Sequence, residues 1–76
     1  MLQYRMNPIN QILPGVYRHY KGSLYEVLFV AKHHETLEEM VVYKSYVGNE
    51  YWVRPASIWF KIVDIKNRIR RFEPVE

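Results

Sequence analysis

The chain has 76 residues, of which 49% are hydrophobic, 16% aromatic and 25% charged, with a formal charge of +3. That length holds one domain and excludes cofactor-domain enzymes, repeat arrays and interdomain clefts; the composition excludes a disordered chain. Cysteine is absent, which excludes disulfide frameworks and thiolate metal sites, and no apolar run approaches the ~20 residues of a membrane span.

Residues 1–13, MLQYRMNPINQIL, lack a sustained period and are interrupted by Pro8. They read as an N-terminal arm, with Ile9, Ile12 and Leu13 available to fill a groove. Residues 14–76 read as a single small β-barrel domain. Pro14-Gly15 is a turn signal. VYRHY (16–20) is rich in strand formers, and Lys21-Gly22-Ser23 reads as a hairpin loop with Gly22 at positive φ. LYEVLFVAKH (24–33) is a long strand. Its odd positions, Tyr25, Val27, Phe29, Ala31 and His33, are the expected core face, because the even set is polar at both ends. HETLEE (34–39) has too few apolar residues for a packed helix and reads as a helical turn or a wide loop.

MVVYKSYV (40–47) is the next strand, followed by a turn at Gly48-Asn49. EYWVR (50–54) is a strand stopped by Pro55, and PASIW (55–59) fits one turn of 3₁₀ helix. FKIVDI (60–65) alternates as a strand. Lys66-Asn67 reads as a tight turn with Asn67 at positive φ, and RIRRF (68–72) as the closing strand. Five to six short antiparallel strands at this spacing predict an all-β fold, an SH3-like barrel or roll with one 3₁₀ turn.

Residues 14–55 also carry an ordered set of motifs. They are Pro14-Gly15, His19-Tyr20-Lys21-Gly22, Tyr25-x-Val27-Leu28, His33-x-Glu35-Thr36, Val41-Val42-Tyr43 and Trp52-Val53-Arg54-Pro55. In that order and spacing the chain resembles the short bacterial family known as domain of unknown function 1653, with a weaker likeness continuing to Phe72. The resemblance implies an SH3-like roll and no assigned activity. The chain departs from the family pattern at Lys61, where an acid is usual, at Lys66-Asn67, where Asp-Gly is usual, and at Arg70, where Pro is usual. Its C-terminal hairpin is therefore more basic than the resemblance implies.

Charge is unevenly placed. Lys61, Lys66, Arg68, Arg70 and Arg71 stand against Asp64 alone, whereas Glu35, Glu38, Glu39 and Glu50 stand against Lys44. A basic end of this kind is an electrostatic footprint for phosphate, or a solvated edge that resists aggregation. His33 and Glu35 share a strand face, but no spacing supplies a third ligand, so neither a metal nor any other cofactor is expected. The competing reading has His33 and Thr36 bonding the loop backbone and fixing its shape. His19 has the chemistry of a general base, but Ser23, Ser45 and Ser57 sit in no nucleophile motif and the three glycines form no phosphate loop.

Trp52 and Arg54 share a strand face, so Arg54 can stack on Trp52 or form an internal ion pair with Glu26 or Glu35. Tyr20, Tyr43 and Trp59 either extend an aromatic surface or form the core. The leading expectation is a binding module for a peptide, protein or small ligand through His19, Tyr20, Lys21, His33, Glu35, Tyr43, Trp52 and Arg54. The alternative is RNA or single-stranded DNA binding through Lys61, Lys66, Arg68, Arg70 and Arg71. A weaker alternative is a small enzyme built on His19, His33 and Glu35. A cytoplasmic setting without a membrane partner is expected, as a monomer or as a dimer paired through an open edge.

Overall fold

Turn residues punctuate the chain, and the stretches between them pair as neighbours. A computed structural model describes residues 12–75. In chain order it contains β1 (Gly15–His19), β2 (Leu24–Lys32), β3 (Glu39–Ser45), β4 (Tyr51–Pro55), a 3₁₀ turn (Ala56–Ile58), β5 (Ile62–Asp64), β6 (Ile69–Arg70) and β7 (Phe72–Pro74). One sheet runs β4-β3-β2-β1-β7 and a second pairs β5 with β6. Every pairing is antiparallel. This is the all-β roll that strand spacing predicts, and its barrel is not closed.

The inner face of the larger sheet carries the core. Tyr17, Val27, Val41, Tyr43, Trp59 and Phe72 are buried, with Ile12, Tyr25, Ala56 and Phe60 packed against them. Trp59 follows the 3₁₀ turn, and its ring stacks on Phe72 with centroids 3.8 Å apart and planes 2° from parallel. Tyr17 and Tyr43 meet the Trp59 ring edge-on at 5.6 Å and 5.0 Å. Such offset and edge-to-face pairs give large apolar burial from few residues, which a domain this short requires.

A β-bulge changes the expected core face. Val27 pairs with Tyr43, but Phe29 pairs with Val42, so Leu28 is an extra residue in β2. The inserted residue shifts the alternation by one. Val30, opposite buried Val41, returns to the inner face, whereas Phe29 turns outward and is 55% exposed. With Val53 it leaves an apolar strip on the outer face.

HETLEE is a loop, one of its two expected forms, closed by hydrogen bonds from the His33 amide to the Glu38 carbonyl and from the Leu37 amide to the His33 carbonyl, both 2.8 Å. Two further expectations change. In the β5–β6 turn, Arg68 and not Asn67 takes positive φ, at 58°. Asn67 instead donates from its amide and its side chain to the Asp64 carboxylate, at 3.2 and 3.0 Å. The single closing strand expected over 68–72 is divided at Arg71: Ile69–Arg70 pairs with β5 and Phe72–Pro74 with β1. The expected N-terminal arm lies outside the described residues except for Ile12 and Leu13. The Leu13 carbonyl accepts a 2.8 Å bond from the Tyr17 hydroxyl.

The β1–β2 hairpin turns on Gly22 at φ 110°, as the sequence predicts. A methyl group added there meets no atom within 4 Å, so backbone conformation alone sets the cost of substitution. Gly22→Ala is expected to lower stability by about 1–2 kcal/mol, seen as a lower denaturation midpoint at unchanged slope.

Candidate functional site

Beside the Trp59–Phe72 stack, the inner face of the sheet stays open. Strand alternation aims Tyr25, Trp52, Arg54 and His19 at this opening. Tyr25 is half-buried at its centre, with ring centroids 6.3 Å from His19, 6.0 Å from Trp52, 5.6 Å from Tyr43 and 5.8 Å from Phe72. Tyr20 lies 4.5 Å from the His19 ring and is exposed, and the Lys21 ammonium sits 5.8 Å from the Tyr20 centroid. Trp52 is 37% exposed on the edge strand β4.

Arg54 neither stacks on Trp52 nor forms an ion pair with Glu26 or Glu35. Its Nε donates to the Tyr43 hydroxyl at 3.4 Å, and its guanidinium lies 5.9 Å from the Phe72 centroid. Glu26 is on the outer face, 3.7 Å from Lys44, and Glu35 is in the β2–β3 loop. Among the described residues Arg54 has no carboxylate partner.

Burial pushes the His19 imidazole below its ordinary pKa of 6.5, and the positive charges of Arg54, Lys21 and Arg71 lower it further. His19 Nδ1 accepts a 3.2 Å bond from the Lys21 amide, which holds its proton on Nε2. The Arg71 carbonyl accepts from the Tyr20 amide at 2.9 Å, and Arg71 Nε is buried with no hydrogen-bond partner. Between the folded pKa and 6.5 the unfolded chain binds more protons at His19 than the folded chain. Stability is therefore lost as pH falls through that window. His19→Gln is expected to flatten the acid limb of a stability-against-pH curve just below the ordinary histidine pKa of 6.5.

A groove lined by His19 and Tyr20 runs along the β5–β6 hairpin, where Arg68 and Arg70 and the cross-strand pair Arg18 and Glu73 also line it. Of the five basic residues of the C-terminal segment, Arg68 and Arg70 line this groove, the Arg70 guanidinium 5.9 Å from the Phe60 ring, and Arg71 lies near His19. Lys61 lines a different groove, about 610 Å³ in volume, beside Ile12, Val30 and Phe60. Lys66 stands in the β5–β6 turn.

His33 and Glu35 are not part of this face. They sit in the β2–β3 loop, where His33 Nδ1 accepts bonds from the Glu35 and Thr36 amides at 3.2 and 3.3 Å. Thr36 Oγ1 accepts from the Glu38 amide at 3.1 Å. An Nδ1 that accepts two N–H groups carries no proton, so the 3.6 Å approach of the Glu35 carboxylate is not an ion pair. No group of three His, Asp or Glu side chains able to hold a metal occurs among the described residues. Trp59 and Tyr43 are buried, leaving Tyr20, Tyr25 and Trp52 as the accessible rings. Tyr25 is the residue sequence reasoning missed as a site member. Its place on the same strand face as Val27 was visible, but its nearness to His19 and Trp52 depends on strands far apart in the chain.

The family described as "Protein of unknown function (DUF1653)" matches residues 15–74. A crystal structure of a DUF1653 protein from Bordetella bronchiseptica is similar, with 38% identity and a TM-score of 0.73 over 84% of this chain and 87% of that one. No curated protein matches. No helix among the described residues is long and apolar enough to cross a membrane.

Proposed function

We propose that this chain, which belongs to the DUF1653 family, is a binding module that takes the anionic group of a ligand on its open aromatic face. The observation that carries this reading is a convergence of cations without acids. Arg54, Lys21 and Arg71 all lie close enough to His19 to lower its pKa, Arg54 has no carboxylate partner among the described residues, and the buried Nε of Arg71 has no acceptor. Like charges brought together repel, and a buried donor left unpaired costs about 1–3 kcal/mol. An incoming anion relieves the repulsion. The guanidinium groups offer the fork geometry that suits carboxylate and phosphate. Trp52, Tyr25 and Tyr20 supply accessible rings for the apolar part of the ligand.

Inorganic pyrophosphate is a suitable first probe, followed by two-dimensional NMR of the arginine Nε–H and histidine ring signals. The expected result is saturable movement of Arg54, Arg71 and His19. Binding of an anion also favours the imidazolium, so the His19 pKa should rise in the complex. Shifts of equal size at every arginine and histidine, His33 and His34 included, or none, would sink the reading.

A further inference from the structure

We infer that the ligand of this face is single-stranded nucleic acid, its bases stacking on Trp52, Tyr25 and Tyr20 and its phosphates tracking from Arg54 to Arg68. This inference rests on the anion-binding reading above and names its ligand class. One carboxylate or one phosphate would engage only the Arg54–Lys21–Arg71 group. The cationic surface extends further. The groove that starts at His19 and Tyr20 also carries Arg68 and Arg70, the latter with its guanidinium 5.9 Å from the Phe60 ring, while Arg18 pairs across the strands with Glu73. A row of cations needs a row of anions, and a sugar–phosphate chain supplies one per residue.

The aromatic residues point the same way. Trp52 and Tyr20 are exposed on either side of the half-buried Tyr25 and His19 rings, and the rings are linked by spacings of 6.0, 6.3 and 4.5 Å. Rings interleaved with cations along a groove are the arrangement that binds unstacked bases without reading a duplex. Among the described residues the only helical piece is the three-residue Ala56–Ile58 turn, so none of them forms a helix long enough to enter a major groove. The acidic loop carrying Glu35 and Glu38 belongs to the β2–β3 hairpin, away from this path. The strand is thus held at the cationic end of the fold.

The test is fluorescence titration of the full chain with an oligouridylate of about ten nucleotides, within the usual site sizes for such grooves. Uridine monophosphate and a glutamate oligomer are titrated in parallel. Trp52 is accessible and Trp59 is fully buried, so quenching reports on the proposed platform. The expected result is quenching with an affinity that falls about 20-fold between 50 and 200 mM salt, the slope for roughly three phosphates on a single strand. Trp52→Ala is expected to weaken binding by about tenfold or more through lost stacking. Arg68→Asn keeps a residue suited to positive φ while removing one phosphate contact, and is expected to reduce the salt slope by about 0.7. If the glutamate oligomer binds as tightly as the oligouridylate, or the monophosphate binds as tightly, the inference fails and the anion-binding reading stands. If no probe binds, both fail.

Discussion

Trp59→Ala is expected to destabilise the protein by about 3–5 kcal/mol, the range for deleting a large buried aromatic side chain. The Trp59 ring is fully buried, stacked flat on Phe72 and met edge-on by Tyr17 and Tyr43. Those three partners belong to β7, β1 and β3, so a single indole joins most of the larger sheet to the chain that crosses it. Typical stability per residue gives a domain of this length about 4–11 kcal/mol in total. The substitution therefore removes roughly a quarter or more of it, and guanidinium unfolding followed by circular dichroism measures the loss. Trp59→Phe is expected to cost much less. The indole Nε1 is buried without a hydrogen-bond partner, so losing that donor offsets part of the lost volume. A Trp59→Ala loss below about 1 kcal/mol would show that the stack is not the centre of the core.

Arg54→Ala is expected to separate binding from folding. If Arg54 were one half of a buried ion pair, its removal would leave an uncompensated charge and cost about 3–5 kcal/mol. It has no such partner among the described residues, and its bond to the Tyr43 hydroxyl is long at 3.4 Å. The expected loss of stability is therefore about 1 kcal/mol or less, the net worth of one hydrogen bond. Affinity for pyrophosphate or an oligonucleotide should fall by about tenfold or more, since charge-assisted bonds to an anion are among the strong ones. Arg54→Lys, which keeps the charge but not the fork, should recover only part of that affinity. Tyr43 then acts as a positioning residue: Tyr43→Phe should weaken binding less than Arg54→Ala because the charge remains.

Much of the fold was legible in the sequence. Alternating strands between turn residues placed β1 to β4 and the 3₁₀ turn within a residue or two, and the motif order pointed to the family. Two of the errors share one physical origin, irregular pairing. An extra residue within β2 leaves the Leu24–Lys32 stretch looking continuous, yet it moves Phe29 to the opposite face. Likewise RIRRF alternates as one strand, and only the competition between β5 and β1 for its partners divides it at Arg71. Of the expected site residues, the hairpin trio His19, Tyr20 and Lys21 meets Trp52 and Arg54 because β1, β2, β3 and β4 lie side by side. His33 and Glu35 drew notice for their ligand chemistry, but local backbone bonds use the imidazole. Arg71 could not be assigned to the aromatic face from charge runs alone, since its position depends on where a strand breaks.

That break has a consequence for how the molecule opens. The Arg71 amide donates to the Lys61 carbonyl at 2.8 Å, and its carbonyl accepts from Tyr20 at 2.9 Å. One peptide unit on each side of Arg71 is thus shared between the small hairpin and the large sheet. The β5–β6 ladder is only two residues long on one side, and its turn is exposed. The hairpin can therefore detach with the Lys61 bond while the five-stranded sheet persists, as a unit of lower local stability. Amide hydrogen exchange would then divide at the strand break, fast at Arg71 and slow at Glu73, whose pairing with Arg18 belongs to the large sheet, and at Tyr17. A ligand gripping Arg54 and Arg71 together would tie the hairpin to the large sheet, so occupancy of the face would be recorded as slower exchange in the β5–β6 hairpin.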